Sequence, residues 1–458
     1  MPGSFSVEGR RVTVVGAARS GIAAAELLLA RGARVTISDV RETCADAERL
    51  ERSGVRLELG GHDESTLAGS DLVVLSPGVA LETPAVQRAR KAGVPVIGEI
   101  ELASRWLRGR VVAITGTKGK STTTTLTARM LEASGLPARA SGNIGTPLSR
   151  QVEHSTPEML HVIEVSSFQL ETTDTFHPWI AALLNFSADH LDRHPDLEAY
   201  GAAKARVFAR QTPDDWAVLN ADDGASIALA AHARSRRRWF GFGEVEEGVT
   251  VSGGQVVERV GRKETPLVPV SAMRVPGRHT LSDVLAAAAV GRLAGASVEG
   301  VARAVEAFTG LEHAMEPVGV VDGVRFVNDS KATTILAARH AVESIPSDLA
   351  VILGGRLKAG DFADLRTPLA GRACAIVAIG ESAALVVDRL GDIAPTTVAR
   401  TMRDAVRAAF DAVRPRGTVL LAPACASFDM FTDFAERGRR FKEEVAQLAA
   451  DRRAAGEQ

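Results

Sequence analysis

Short runs of Val, Ile and Leu alternate with Ala-rich segments of helical period along nearly all of this 458-residue chain. No other feature limits the fold so strongly. Uninterrupted apolar runs of strand length suit strands covered on both faces, and a strand–helix–strand rhythm lays such strands parallel. Val12–Val15, a helix over Gly21–Ala30 and Val35–Ser38 open the pattern; Leu72–Leu75 and Val94–Ile97 continue it. A second phase starts at Val111–Thr115, with a Gly-rich bend and a helix over Ser121–Ala133. Strand candidates Leu160–Val165, Ala181–Asn185 and Ala217–Leu219 follow. Gly248–Val260 reads as a hairpin about Gly253 and Gly254, and an Ala-rich helix over Leu281–Ala294 closes this part. A third alternation begins near Gly319 and runs through Val324–Val327, Leu349–Leu353, Cys374–Ile379 and Thr418–Ala422. It ends in an amphipathic helix, Phe434–Ala450, with a charged, frayed tail.

A single hydrophobic core rarely grows beyond about 250–300 residues, so the chain is expected to fold as several domains. The three phases predict a three-domain α/β protein with boundaries near residues 104 and 311. Residues 1–104 are expected to form a Rossmann-like domain, 105–311 a central P-loop-type domain with a mostly parallel sheet, and 312–458 a second Rossmann-like α/β domain. The formal net charge of −2 offers no global field for nucleic acid or anionic lipid, so phosphate recognition has to be local. Aromatic residues make up only 4% and Tyr200 is the one tyrosine, which argues against a stacking platform for single strands. Cys44, Cys374 and Cys425 are odd in number and far apart, fitting neither a disulfide framework nor a zinc knuckle. Met1–Arg11 is too short and polar for a signal peptide, and no apolar run reaches membrane-spanning length. A soluble, cytoplasmic monomer without nucleic-acid or membrane partners is expected.

The most informative local segment is Gly116-Thr117-Lys118-Gly119-Lys120-Ser121-Thr122, between an apolar strand and a helix. Glycines let backbone N–H groups approach phosphate oxygens, Lys120 adds a point charge, and Ser121 is suited to Mg²⁺. Two residues separate Gly116 from Gly119, where the common Walker A loop has four. A nucleoside triphosphate site is favoured over a plain strand–helix turn. Glu164 ends a later strand, and Asp189-His190-Leu191-Asp192 follows another. Strand ends collect ligands in open parallel sheets, so Glu164 and His190 are candidates for a second divalent ion. Taken alone, His190 reads as an ordinary loop histidine and Lys204 as a surface lysine.

Gly16-Ala17-Ala18-Arg19-Ser20-Gly21 also joins a strand to a helix, and Asp39 ends the next strand. Ala18 stands where a dinucleotide fingerprint has its middle glycine. Three readings remain open here: a dinucleotide site, a uridine nucleotide held with Asp39, Arg41 and Ser76-Pro77-Gly78, or a structural turn. In the third part, Asn328-Asp329-Ser330-Lys331-Ala332-Thr333 ends a strand and starts a helix, bringing a cation and hydroxyls to a place suited to a small carboxylate. The bland alternative makes Asp329 or Ser330 a helix cap. Cys425 lacks a persuasive His/Asn partner and reads as a buried thiol.

The loop Gly116–Thr122, Ser141-Gly142-Asn143-Ile144-Gly145, Glu164-Val165-Ser166-Ser167-Phe168-Gln169-Leu170-Glu171, Asp189-His190-Leu191-Asp192-Arg193 and Asn328–Thr333 occur in one order. Together they resemble the Mur ligases over nearly the whole chain. Gln169-Leu170-Glu171 and Cys425-Ala426-Ser427 are most similar to the branch that adds D-glutamate. The resemblance implies ATP and Mg²⁺ as cofactors, and UDP-N-acetylmuramoyl-L-alanine and D-glutamate as substrates joined through an acyl phosphate. It also implies a mobile third domain that closes the site against water. By motif position it implies that Gly116–Thr122 and Asp329 bind ATP, and that Ser121, Glu164, His190 and a carbamylated Lys204 serve the metals. Lys120, Glu164, His190 and Lys204 would be catalytic. Ser20, Asp39, Arg41, Ser76 and Asn143 would hold the nucleotide-sugar substrate; Lys331, Thr333, Ser427 and Phe434 would hold D-glutamate.

Several positions depart from the family pattern. His279-Thr280-Leu281-Ser282-Asp283 stands for His-Asn-x-x-Asn, His313-Ala314-Met315-Glu316 lacks an arginine, and Thr334 replaces an asparagine. Ala314 cannot supply the fixed charge of an arginine, so nucleotide affinity or turnover is the property these positions are expected to alter. Three other readings stand beside the D-glutamate ligase. One is an L-glutamate-adding variant, which side-chain motifs do not distinguish. The second is a nucleotide-sugar-binding relative with impaired ATP turnover. The third, an oxidoreductase, rests on the first turn alone.

Overall fold

A computed structural model describes residues 5–44, 46–189, 193–275, 277–346, 348–358 and 360–456. The chain divides into two compact units, Met1–Phe308 and Thr309–Gln458. The first unit holds two sheets. Its first sheet contains β1 (Arg11–Val15), β2 (Arg34–Asp39), β3 (Arg56–Leu59), β4 (Leu72–Leu75) and β5 (Val96–Gly98) in the order β3-β2-β1-β4-β5. All pairings are parallel. Val12, Val14, Ile37, Leu72 and Val74 pack on one face with Ile22, Ala25 and Leu28 of the helix Arg19–Ala30. Val15, Val73 and Leu75 pack on the other with Ala85, Val86 and Ala89 of the helix Pro84–Lys91. Burial on both faces is why these strands carry unbroken apolar runs. The strand order reverses between β1 and β4, which opens a crevice beyond their carboxyl ends.

The second sheet adds β6 (Arg110–Thr115), β7 (Ala138–Gly142), β8 (Leu160–Glu164), β9 (Ile180–Leu183), β10 (Trp216–Asn220) and β11 (Arg236–Phe240). It is completed by β12 (Glu247–Ser252), β13 (Gln255–Val260) and β14 (Lys263–Pro269), in the order β14-β13-β12-β11-β10-β9-β6-β8-β7. The expected hairpin is β12–β13, and β14 extends it as a third antiparallel strand. Pro266 and Pro269 disguised β14, because proline cannot donate to a ladder and is tolerated only at an edge such as this one. β6 lies between β8 and β9, so the bend after β6 is flanked by the ends of both.

The helix Glu99–Ser104 links the two sheets and is fastened by buried carboxylates. Glu101 accepts the backbone N–H groups of Asp174, Thr175 and Phe176 at 2.8, 3.0 and 2.9 Å, and Arg105 Nε at 2.8 Å. Glu99 accepts the Ser149 N–H at 2.7 Å, and burial pushes its carboxyl pKa up.

The second unit contains β15 (Glu316–Val321), β16 (Val324–Asn328), β17 (Leu349–Gly354), β18 (Ala373–Ile379), β19 (Thr396–Val398) and β20 (Gly417–Leu421). Their order is β15-β16-β20-β17-β18-β19. The sheet is parallel except for β15, which turns back antiparallel to β16 through Asp322 and Gly323, both at positive φ. The last helix, Phe434–Gly456, runs past the expected end at Ala450. Phe441, Val445 and Leu448 bury one side of it, and Arg452 pairs with Asp322 at 2.6 Å while Asp451 pairs with Arg407. Those pairs hold the charged tail helical where fraying was expected. Among the described residues no helix is long and apolar enough to cross a membrane.

Removing the buried Glu101 carboxylate leaves the buried Phe176 N–H, the half-buried Asp174 and Thr175 N–H groups and the Arg105 guanidinium without their acceptor. Glu101→Ala is expected to lower unfolding free energy by about 3–5 kcal/mol in a denaturant titration. A loss under about 1 kcal/mol would show that the linking helix does not depend on this carboxylate.

Candidate functional site

The helix Lys120–Ala133 begins directly after the Gly-rich bend, with Gly119 as its N-cap at φ +82° and no side-chain cap. Its first N–H groups therefore point out of the bend without a capping oxygen from their own turn, the arrangement that binds anions. Neighbouring strand ends brace the bend. Asn185 accepts the Lys118 N–H at 2.9 Å and donates to the Lys118 carbonyl at 3.1 Å. Thr117 donates its N–H to the Asn185 carbonyl at 3.0 Å, and its hydroxyl donates to the Ser187 carbonyl at 3.2 Å.

Glu164, at the end of β8, is 2% exposed and binds two other candidates. Ser121 Oγ donates to it at 2.6 Å and Asn143 Nδ2 at 2.7 Å. The structure thus brings Gly116–Thr122, Glu164 and Asn143 together. Lys204 joins them: it is 1% exposed, and its Nζ donates to the Gly116 carbonyl at 2.7 Å. Lys120 Nζ donates to the same carbonyl at 3.0 Å and to the Thr117 carbonyl at 2.9 Å. Burial, with repulsion from Lys120, lowers the Lys204 pKa to about 7 against the attraction of Asp189 and Glu164. The surface-lysine reading of Lys204 is therefore corrected. His190, Leu191 and Asp192 lie outside the described residues.

Ser121 and Glu164 present hard oxygens, and Glu164 supplies anionic charge, donors suited to Mg²⁺. Among the described residues no group of three His, Cys, Asp or Glu side chains forms a ready metal cage. Ser166 and Gln169 of the Glu164–Glu171 segment form a capping box that starts the helix Ser167–Glu171. His194 was not singled out from the sequence. It lies 2.9 Å from Ser167 Oγ and 3.1 Å from Glu171 Oε1, tying the chain beyond residue 192 to that helix.

At the crevice of the first sheet, Gly16 has φ +101° and Ser76 Oγ donates to its carbonyl at 3.0 Å. Asp39 accepts the Ala17 N–H at 2.5 Å and three hydrogen bonds from Arg41: its backbone N–H at 2.8 Å, Nε at 3.0 Å and Nη2 at 2.8 Å. Burial pushes the Asp39 carboxyl up, but the Arg41 and Ala17 hydrogen bonds outweigh it and hold the pKa at about 2. Ser20, half-buried in the first turn of the helix Arg19–Ala30, adjoins this group. Arg19 Nη2 reaches the Gly145 carbonyl at 2.6 Å, connecting the turn to the segment that carries Asn143.

The remaining candidates belong to the second unit. Asp329 follows β16, accepts the Met315 N–H at 3.1 Å, and burial raises its pKa to about 6. Neither Asp329 nor Ser330 caps a helix: the helix Ile335–Glu343 starts later, with Thr334 as cap accepting the Ala337 N–H. Ser330 Oγ donates to the Phe434 carbonyl at 2.7 Å. Arg437, 1% exposed, donates to Ser330 Oγ at 3.0 Å, to the Ser330 carbonyl at 2.9 Å and to the Cys425 carbonyl at 3.0 Å. It thereby joins the strand end that carries Lys331 to the segment that carries Ser427. Cys425 is fully buried, and burial pushes its thiol pKa up. Thr333 and Lys358 line one cavity of about 350 Å³ with Arg339 and Asp364. Arg437 and Lys358 escaped the sequence reading because each looks like an ordinary surface cation without its tertiary neighbours.

Comparison with known proteins covers the same ground. Residues 10–98 match the MurD-like N-terminal domain of Mur ligases, 114–291 the Mur ligase middle domain, and 314–425 the Mur ligase glutamate ligase domain. A protein of Acidobacterium capsulatum named UDP-N-acetylmuramoylalanine--D-glutamate ligase is 44% identical over 96% of this chain and 97% of its own. Proteins of the same name from Koribacter versatilis and Anaeromyxobacter dehalogenans are 41% and 43% identical, each over 97% of this chain and 99% of its own. Among solved structures, UDP-N-acetylmuramate-alanine ligase of Thermotoga maritima superposes with a TM-score of 0.57 at 20% identity, covering 96% of this chain and 100% of that one. A pseudomurein peptide ligase of Methanothermus fervidus gives 0.53 at 17% identity, over 96% and 100% of the two chains. The matched domains and the full-length relatives agree, and the chain belongs to the Mur ligase family.

Proposed function

We propose that this chain is an ATP-dependent ligase that joins D-glutamate to UDP-N-acetylmuramoyl-L-alanine in the assembly of a peptidoglycan precursor. The observation that carries the reading is the braced bend Gly116–Thr122 with Glu164, Asn143 and Lys204 around its mouth. The names of relatives 41–44% identical over nearly the full length support the substrate assignment. The work is assigned to the cytoplasm, where both ATP and a nucleotide-sugar precursor are available.

The substrate's terminal carboxylate attacks the γ-phosphorus of ATP, and ADP leaves. The amine of D-glutamate then attacks the acyl carbon, and phosphate leaves as the amide forms. Backbone N–H groups at the start of the helix Lys120–Ala133 cradle the phosphates at the bend Gly116–Thr122, while Lys120 offsets charge on the transferring group. Asp329 is assigned to the nucleotide as well. Ser121, Glu164, His190 and a carbamylated Lys204 would hold Mg²⁺, which would supply further charge neutralisation there. Asn143 orients the carboxylate to be activated. Ser20, Asp39, Arg41 and Ser76 hold the uridine diphosphate; with Asp39 engaged by Ala17 and Arg41, its part is to pose their N–H groups. Lys331, Thr333, Ser427 and Phe434 hold D-glutamate, with Arg437 fixing the two segments that carry them.

Purified protein with UDP-N-acetylmuramoyl-L-alanine, ATP and Mg²⁺ is expected to release ADP when D-glutamate is added. Turnover with L-glutamate alone overturns the stereochemical assignment, and uridine-ligand binding without turnover favours the non-catalytic relative. Lys120→Ala is expected to lower kcat by about 10²–10³ or more with the fold retained, read by ADP release and circular dichroism. Rates like those of the wild type would remove Lys120 from the chemistry.

Carbamylation needs a neutral amine, and Lys204 is poised for it. Its pKa of about 7, against 10.5 unperturbed, makes the unfolded chain bind the extra proton between those values. Stability is therefore expected to rise with pH across that window, and Lys204→Met to flatten the rise. Equal slopes in denaturant titrations at several pH values would exclude a depressed amine.

A further inference from the structure

Asp283 lies in the second turn of the helix Arg278–Leu293, which packs along Lys120–Ala133. Its carboxyl faces the start of that second helix. Thr122 donates its hydroxyl to it, and a Cβ built on Gly119 would collide with Asp283 Oδ1. The place where the uncapped N–H groups converge thus already has a carboxyl beside it. An ionised carboxylate there opposes an incoming phosphate through partly buried, low-dielectric surroundings, whereas a neutral carboxyl does not. Burial raises its pKa to about 7 despite the Thr122 hydrogen bond, so both forms are populated near neutrality.

Other charges surround this point. Lys118 and Lys120 flank Gly119, with the Lys120 amine turned to the Gly116 and Thr117 carbonyls. On the same helix as Asp283, Arg278 lies over the Phe242 ring and His279 approaches Gly277. In the sheet against which this helix packs, Arg238 pairs with Glu258, which also holds Arg292.

We propose that Asp283 is a proton-carrying positioning residue of the nucleotide site: phosphates bind when its carboxyl is neutral, so binding takes up a proton at this side chain. The inference rests on the nucleotide-site reading above and adds to it a linkage between nucleotide affinity and pH.

The test is titration calorimetry of the full chain with ADP and Mg²⁺ at pH 7.5, in two buffers of different ionisation enthalpy. Wild type and Asp283→Asn are compared, so ionisation of the nucleotide and of Lys204 cancels. Wild type is expected to take up more protons per nucleotide, by up to one. Its affinity relative to the variant is expected to fall about tenfold per pH unit above pH 8. Asp283→Ser is expected to behave as the asparagine variant does. Equal proton uptake and parallel affinity profiles overturn the inference while leaving the nucleotide site standing. Binding to none of the three proteins overturns the nucleotide-site reading itself.

Discussion

A backbone bend with its N–H groups turned outward is unstable unless something else holds its carbonyls, and much of the first unit meets that demand. Lys120 and Lys204 both donate to the Gly116 carbonyl, while Asn185 grips both the N–H and the carbonyl of Lys118. These ties engage the Gly116 and Lys118 carbonyls and the Lys118 N–H. The helix Lys120–Ala133 opens there without a side-chain cap, an arrangement suited to an anion. The order of the second sheet makes this possible, because β8 and β9 end on either side of β6 and deliver Glu164 and Asn185 there.

The second unit solves a similar problem with one buried cation. Arg437 cannot discard its proton, so its burial is tolerated only because three oxygens accept from it. Burial lowers its pKa to about 10, still far above neutrality. The result is a rigid brace between two loops that each begin at the end of a strand. Asn328 adds a second brace, lying 3.0 Å from His313 Nδ1 and donating to Glu316 Oε2 at 2.9 Å.

Periodicity and glycine spacing made the sheets, the Gly-rich bend after β6 and the crevice turn legible, because each depends on residues close together in sequence. Features that depend on distant partners were not legible. Glu101 reads as one more helix carboxylate until the backbone of 174–176 closes around it. The helix at the carboxyl end shows the same limit, since its charged tail is stabilised by Asp322 and Arg407 from elsewhere in the unit. Thr334 was read as a departure from the family pattern, yet as N-cap it keeps a hydrogen-bonding side chain at a site that asks for one. The sequence reads Asn328–Thr333 as ending a strand and starting a helix, but the helix begins only at Ile335. The backbone of that segment is instead spent on contacts with Leu421 and His313.

Gly16 and Ser76 sit so close that a Cβ at residue 16 would lie 2.9 Å from the serine Cβ. A side chain at residue 16 would push Ser76 aside and break its hydrogen bond to the Gly16 carbonyl, so the crevice floor keeps its shape only while that position carries no Cβ.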